Sequence, residues 1–307
     1  MVLKLQNNIP CTVNKIEKLR VTLKSGEISK SKCFGLGLGA QRCGSTWLGQ
    51  YLGRHPDYCM SPIKEMHIFD TIKSEKIHPL IKRAENYKNH REIDESRQEI
   101  LKINSQEISY FEYFDKMLKP SHTCFGEITP EYAKLGKSFF RKIFNSHPNV
   151  KFFISLRRPI NRYLSALYYY SRKRPAFDVE KNYLKGLRRE LFCSYTGYSA
   201  QIRKLLSIVP KEKICFVYYE DLFNGRSDSL FEICDHLGIE KIPPDTLGMS
   251  LKKVVNKSSK QQERRLPSKA EMKRIFKRFE SEYYSVSELI CKPLPPAWRE
   301  DISSFAK

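Results

Sequence analysis

The chain has 307 residues and carries 55 Lys and Arg against 34 Asp and Glu, a formal net charge of +21. Its 40% apolar content, with 18 Phe and 17 Tyr, is enough for a packed core and excludes a disordered chain. No apolar run reaches the roughly 18–20 residues that a membrane-spanning helix needs, and the N-terminal segment lacks the apolar stretch of a secretory signal. We therefore expect a cytoplasmic protein with no membrane span.

Nine cysteines are scattered along the chain without any C-x-x-C pair. This spacing excludes a zinc ribbon and a thioredoxin-like motif. Several of the cysteines lie in apolar runs, as is typical of small buried side chains in a reducing compartment. The sequence therefore predicts free cysteines, and no cluster of ligands has a spacing that indicates a metal.

The positive charge favours an anionic partner, whether nucleic acid, anionic lipid, a nucleotide or an acidic polymer. It is concentrated in residues 157–174 and 252–278. Most of these side chains are expected on solvated helix faces, so charge alone does not identify the anion. No specific nucleic-acid partner is expected.

Apolar runs alternate with helical patterns through residues 33–240. The predicted strands cover 33–38, Tyr58–Met60, 123–128, Val150–Leu156 and 214–219. The predicted helices run from Trp47 to before His55-Pro56 and over 107–118, 159–172 and 199–208, with a charged helical segment at 73–109. Strands that are apolar nearly throughout are typical of a parallel sheet buried on both faces. The sequence predicts an α/β fold with one domain over 33–307 and an N-terminal extension over 1–32.

The turn after the first predicted strand has the spacing of a phosphate-binding loop. Gly39 and Gly44 are five positions apart and Ser45-Thr46 follow, so backbone N–H groups and a helix N-terminus can converge on an anion. A Walker-type loop needs Lys directly after the second glycine, where this chain has Ser45. The cation of this loop is instead Arg42, which disfavours an ATPase or kinase. A tight turn without a ligand is the alternative.

With this displaced cation, residues 42–48 (RCGSTWL) resemble the 5′-phosphosulfate loop of sulfotransferases that use 3′-phosphoadenosine 5′-phosphosulfate (PAPS). The resemblance implies a three-layer, P-loop-like fold with a central parallel sheet flanked by helices. The donor contacts that it implies in this loop are Arg42, Cys43, Gly44, Ser45, Thr46 and Trp47. Arg42 stands where many members have Lys; it keeps the charge and can bind phosphate in a bidentate manner.

A second segment, 157–165 (RRPINRYLS), resembles the family's 3′-phosphate motif and implies Arg157 and Ser165 as phosphate contacts. A basic helix start on the surface is the alternative. A third segment, 214–238, resembles the family's late strand and helix, with Glu220 and Asp221 in structural roles. The resemblance also implies nucleotide contacts from Tyr198 and, in a late loop, from Lys257 and Lys260. The matches follow the family's order over residues 33–240.

Residues 64–70 (KEMHIFD) resemble the Lys-Glu-x-His-Phe-Phe-Asp segment of heparan-sulfate-type and bacterial carbohydrate sulfotransferases. The resemblance implies Glu65 as the general base that takes the acceptor's proton, with His67 as the competing candidate. Lys64 and Asp70 are candidate acceptor contacts.

Residues 126–132 (GEITPEY) resemble the Glu-Lys-Thr-Pro-x-Tyr segment of the same branch, with Ile128 in place of the Lys. This loss disfavours a heparan-like acidic acceptor. Glu127 remains a candidate second carboxylate beside the cleft.

The sequence thus predicts a metal-independent sulfotransferase that moves a sulfuryl group from PAPS to a hydroxyl of a small molecule or glycan, releasing 3′,5′-adenosine bisphosphate (PAP). Two other classes stay open. One is a P-loop phosphotransferase; the other is a non-catalytic protein that binds polyanions or nucleic acid through its charge.

Overall fold

Five parallel strands form one sheet in the computed structural model, which describes residues 27–71, 98–99, 102–103, 106–250 and 265–306. The strands are β1 (Cys33–Gly37), β2 (Tyr58–Met60), β3 (Cys124–Ile128), β4 (Val150–Leu156) and β5 (Ile214–Tyr218). Their order in the sheet is β2-β3-β1-β4-β5, and every neighbouring pair is parallel. Because all five carboxyl ends point to one edge of the sheet, the loops that follow β1, β3 and β4 meet there.

Helices alternate with these strands. Their bounds are α1 (Ser45–Arg54), α2 (Ile68–Thr71), α3 (Tyr110–Asp115), α4 (Lys137–Ser146), α5 (Pro159–Lys173), α6 (Glu190–Cys193), α7 (Tyr198–Leu206), α8 (Tyr219–Leu222), α9 (Asp228–Leu237), α10 (Lys269–Ile290) and α11 (Pro296–Phe305). Short 3₁₀ helices cover Ser29–Ser31, Pro130–Lys134, Glu180–Asn182, Lys185–Arg188 and Lys211–Lys213.

Helices cover both faces of the sheet, so the core is divided into two layers. One apolar cluster contains the buried faces of α3, α4, α5, α7 and α10. The other contains those of α1 and α9. The strands between them are buried nearly throughout, which is why their sequences are continuously apolar rather than alternating. The predicted three-layer α/β fold is confirmed.

The predicted strands and helices agree with the structure to within a few residues. Helix α1 ends at Arg54, directly before His55-Pro56, as the proline requires. The amphipathic piece predicted over 107–118 is the shorter helix α3. Residues 1–26, most of the charged segment 73–109 and the basic segment 252–264 lie outside the described residues.

Helices α10 and α11 have no counterpart among the predicted elements. The basic segment 252–278, which includes the first half of α10, was interpreted by its charge alone. A readable signal precedes α10: Ser268 and Glu271 form a capping box, in which each side chain accepts a hydrogen bond from the other residue's backbone N–H. Within the described ranges no helix is long and apolar enough to cross a bilayer. The eight described cysteines are free, and only Cys291 among them is exposed.

Arg158, the residue after Arg157, is held by the two C-terminal helices. It forms a buried ion pair with Asp301 of α11, and Tyr283 of α10 supports that carboxylate. Arg158 Nε donates to Asp301 Oδ2 at 2.5 Å, and its Nη2 donates to Oδ1 of the same carboxylate. Tyr283 donates a 2.6 Å hydrogen bond to Asp301 as well. The predicted structural role of Glu220 is borne out, since it accepts from the Arg158 amide at 3.0 Å and from Trp298 Nε1 at 2.9 Å. The C-terminal helices therefore fix the end of β4.

Asp301→Ala is expected to lower the free energy of unfolding by about 3–5 kcal/mol, because it leaves the Arg158 guanidinium half-buried without its counter-charge. Urea unfolding followed by circular dichroism measures this loss. The matched control is Glu280→Ala, which breaks the exposed Lys277–Glu280 pair on α10 and should change stability by less than about 1 kcal/mol. Equal effects in the two variants would contradict the structural role given to Asp301.

Candidate active site

The loop between β1 and α1 depends on glycine where the chain enters the helix. Gly44 is the N-cap of α1 with φ +89°, a left-handed conformation that favours glycine. A Cβ at this position would lie 2.9 Å from a ring carbon of Phe223. No side chain caps the helix, so the N–H groups of its first turn are left for another acceptor. Ser45 and Thr46, both half-buried, lie in this turn.

The parallel pairing of β1 with β4 places Arg42 and Arg157 side by side at the carboxyl edge of the sheet. Arg157 Nη1 donates to the backbone carbonyl of Arg42 at 3.1 Å. Arg42 Nε donates to Ser165 Oγ on α5 at 3.2 Å. The structure thus brings together three residues that the sequence assigns to two separate phosphate motifs.

The described residues give this arginine pair no salt-bridge partner, although the Glu220 carboxylate interacts electrostatically with Arg157. Within the described part of the chain, no carboxylate forms a salt bridge with Arg42 or Arg157. Arg157 Nε is buried and has no hydrogen-bond partner. Burial lowers the pKa of Arg42, and the positive charges of Arg172 and Arg157 lower it further. This arrangement is electrostatically incomplete, and a bound anion would complete it.

Aromatic rings hold the two guanidinium groups in place without neutralising them. Arg42 lies over the ring of Tyr169 at 4.6 Å, and Arg157 lies over the ring of Tyr219 at 4.4 Å. Lys173 also lies over Tyr169, at 4.6 Å. Cation–π contacts orient the cations and keep their N–H groups available for an anion.

Tyr198, Cys43 and Trp47 have buried side chains that pack beneath the loop, and the donor contacts implied for them stay predictions. Tyr198 is fully buried, donates to the Arg157 carbonyl at 2.9 Å and lies 3.6 Å from Cys43 Sγ. Burial raises the pKa of Cys43 to about 11, so its thiol stays neutral. Trp47 is also buried, and its Nε1 donates to the carbonyl of Ser250 at 3.1 Å. These side chains brace the phosphate motifs against each other.

The segment after β2 turns sharply at two of the predicted catalytic residues. Glu65 and His67 have φ values of +58° and +56°, which are uncommon for residues with a side chain. The Glu65 carboxylate is 25% exposed and lies 3.3 Å from the ammonium group of Lys64, which is 58% exposed. His67 is buried, and its Nδ1 is 2.8 Å from Asp70 Oδ2. The predicted acceptor-side residues 64, 65, 67 and 70 therefore lie together.

The structure adds Glu131 to this group. Glu65, His67 and Glu131 each offer one ligand atom, and the three atoms lie within 4.8 Å of one another. We call Glu65, His67, Asp70 and Glu131 the carboxylate–histidine cluster. Burial lowers the pKa of His67, but the Asp70 hydrogen bond and the charges of Asp70, Glu131 and Glu65 outweigh it and raise the pKa overall. The three ligand atoms are close enough together to hold a metal ion. The metal independence expected from the sequence therefore stays a prediction.

Glu127 does not lie beside the cleft as expected. Its side chain is fully buried and accepts hydrogen bonds from Thr129 Oγ1 at 2.6 Å, Tyr132 Oη at 2.8 Å, the Met66 amide at 3.0 Å and Tyr110 Oη at 3.2 Å. Burial raises its pKa. Its carboxylate thus anchors the segment that carries Glu65 and His67 to β3, and it has no free oxygen to offer an acceptor.

A hydrogen bond links the loop that carries the arginine pair to the carboxylate–histidine cluster. Gln41 Nε2, directly before Arg42, donates to Glu131 Oε1 at 3.2 Å. The sequence analysis missed Gln41 and Glu131, because nothing in the local sequence of either residue indicates that they meet. The pairing of β1 with β3 brings them together. Lys257 and Lys260, the predicted late-loop contacts, lie outside the described residues.

Comparison with known proteins agrees with this geometry. A model of the sulfotransferase family matches residues 36–244. The sulfotransferase from Alicyclobacillus acidocaldarius superposes with a TM-score of 0.57 at 20% identity, over 87% of this chain and 98% of that one. The sulfotransferase domain from the curacin biosynthetic pathway gives 0.47 at 19% identity, over 69% and 75%. Mouse sulfotransferase SULT7A1, complexed with PAP, gives 0.39 at 12% identity, over 92% and 84%.

No curated protein gives a significant match to the chain. The structural likenesses, at these identities, concern the fold. The family model covers about two thirds of the chain and spans both arginines and the carboxylate–histidine cluster. This chain belongs to the sulfotransferase family.

Tyr198→Phe is expected to lower the free energy of unfolding by about 1 kcal/mol, because the Arg157 carbonyl loses its hydrogen bond from a buried hydroxyl. Thermal or urea unfolding measures this change. Tyr284→Phe, which removes a hydroxyl from a half-exposed tyrosine on α10, is the control and should be neutral. An unchanged stability in Tyr198→Phe would contradict the bracing role of this hydroxyl.

Proposed function

We propose that this sulfotransferase uses PAPS as donor and transfers the sulfuryl group to an acceptor hydroxyl, with Glu65 as general base. The observation that carries the proposal is the Gln41–Glu131 hydrogen bond, which ties the loop that carries Arg42 to the carboxylate–histidine cluster. A group-transfer site needs both halves: cations for the anionic donor and a base for the acceptor. A protein that only binds polyanions has no use for the second half.

The arginine pair fits the two phosphate-bearing ends of the donor. Arg157, with its buried and unpartnered Nε, and Ser165 would hold the 3′-phosphate. The first-turn N–H groups of α1, together with Ser45 and Thr46, would hold the 5′-phosphate, since a helix N-terminus favours an anion. Arg42 contacts Ser165 and Arg157 and stands two residues before Gly44, the N-cap of α1, so it would serve the donor from the same loop. When bound, PAPS would supply an activated sulfuryl group with PAP as leaving group.

The transfer itself requires little from the protein beyond position and charge, by analogy with phosphoryl transfer. Glu65 takes the proton from the acceptor hydroxyl as its oxygen forms the new bond to sulfur. The bond from sulfur to the bridging oxygen breaks on the opposite side, and Arg42 stabilises the negative charge left on the departing phosphate. His67, with Asp70 on its Nδ1, lies beside Glu65 and is the alternative proton acceptor.

The acceptor-side residues favour a neutral hydroxyl compound, such as a sugar, over an acidic polymer. Ile128 replaces the cation that the heparan-type enzymes carry in this segment. The cluster proposed for the acceptor side contains three carboxylates, with Lys64 beside Glu65 and Lys134 facing Glu131 as exposed cations. Negative charges at this position would repel an anionic acceptor.

The donor assignment is tested by calorimetric titration with PAP beside ADP and ATP–magnesium, ligands that share adenosine and differ in where the phosphates sit. We expect a clear preference for PAP, and Arg157→Ala should weaken PAP binding at least tenfold, because a charge-assisted contact is lost. The matched control is Arg299→Ala on α11, an exposed arginine that belongs to neither phosphate motif. Preference for ATP–magnesium would indicate a phosphotransferase. Salt-sensitive binding of nucleic acid without a nucleotide preference would indicate a polyanion-binding protein.

The base assignment is tested by Glu65→Gln. Turnover with PAPS and a responsive acceptor should fall by about 10²–10⁴-fold, because the proton acceptor is removed, while PAP affinity stays within twofold. Glu288→Gln, an exposed carboxylate on α10, serves as the control. Retained turnover in Glu65→Gln together with loss in His67→Asn would move the base to His67.

A further inference from the structure

Glu131 lies on a turn that packs directly against the loop proposed for the donor. The Thr129 amide donates to the Gly37 carbonyl at 3.0 Å, at the end of β1. A Cβ on Gly39 would come within 2.9 Å of Pro130 Cα, so the two backbones touch at this point. The Gln41–Glu131 hydrogen bond is the third contact of the series. The donor loop and the turn that carries Glu131 are thus held together at three successive positions.

The other oxygen of Glu131 is left without a partner. Glu131 Oε2 is buried and makes no hydrogen bond to the described residues. Burial raises the pKa of Glu131, and the charge of Glu65 raises it further. A buried carboxylate oxygen without a donor is costly unless the site uses it. Glu131 therefore needs an explanation beyond its bond to Gln41.

Charged and titratable groups face Glu131 from several elements. Glu65 and His67 come from the segment before α2, and Asp70 comes from α2 itself. Lys134 lies on the same 3₁₀ helix as Glu131, and its ammonium group lies 3.4 Å from the ring centre of Tyr195. Tyr195, from the segment before α7, interacts electrostatically with Glu131 as well. Of these groups, Glu65 and His67 are the two candidate bases.

We propose that Glu131 is a positioning residue that joins the donor loop to the base and sets the base's proton affinity. The proposal rests on the proposed function, since it assigns a task within that same reaction. Through Oε1 it fixes Gln41, and with it the loop that carries Arg42. Its carboxylate offers an oxygen within 4.8 Å of ligand atoms of Glu65 and His67, and its charge raises the pKa of His67. The resemblance to known motifs leaves this position undefined, so the role belongs to this chain's own sequence.

Two substitutions separate the two tasks. Glu131→Gln keeps an oxygen that can accept from Gln41 and removes only the charge. Glu131→Ala removes the charge and the hydrogen bond, and Gln41→Ala removes the hydrogen bond and leaves the charge. Each variant is first compared with the wild type in thermal unfolding and in PAP titration, which report whether the fold and the donor site are intact.

The decisive measurement is the pH dependence of kcat/KM. Removing a negative charge lowers the pKa of a neighbouring base, so the acid limb in Glu131→Gln should move to lower pH by about one unit. Gln41→Ala should leave the acid limb in place and lower kcat by several-fold, since the loop is less well held. Glu131→Ala should combine both effects.

An acid limb that stays in place in Glu131→Gln, in an enzyme that still binds PAP and still needs Glu65, would overturn this inference and leave the proposed function intact. A chain that does not bind PAP, or that turns over equally well in Glu65→Gln, would instead refute the proposed function. A shift of the acid limb without any effect of Gln41→Ala would remove the link to the donor loop and keep only the electrostatic part.

Discussion

The rest of this site depends on two arginine side chains that lie against each other and form no salt bridge with a carboxylate of the described residues. Arg42 and Arg157 repel one another, and the sheet geometry that brings β1 beside β4 forces them together. The protein surrounds them with polarisable rings and backbone carbonyls rather than with acids. The site is therefore prepared for an anion before one arrives, which reduces the reorganisation that binding requires.

Much of the structure serves to hold these two arginines and the nearby carboxylates at fixed positions. Tyr198 and Glu127 are fully buried and contact the backbone of the reactive segments. Each one satisfies several polar groups in a region of low dielectric, where an unpaired group would be costly. The candidate functional side chains thus lie at the edge of the sheet, and the buried polar side chains beneath them hold that backbone in position.

The sequence predicted the parts of the fold that have a local pattern. Apolar runs such as Val150–Leu156 and the spacing of Gly39 and Gly44 depend only on neighbouring residues, so strands and loop could be read directly. The depth of a side chain is not local: Glu127 and Tyr198 looked available to a ligand and are buried. No local sequence pattern marked Glu131, because its role depends on a hydrogen bond with Gln41, which lies 90 positions away in the sequence.

The ion pair between Arg158 and Asp301 also has a kinetic consequence. These residues are 143 positions apart, and their contact fixes the backbone next to Arg157. During synthesis, the central strands can pair while the ribosome is still adding the C-terminal helices, but Arg158 has no counter-charge until residue 301 has left the exit tunnel. Contacts of such long sequence separation form late in folding. The backbone next to Arg157 is therefore expected to be fixed only after translation has passed this point, so a nascent chain would carry the sheet before the end of β4 is held in place.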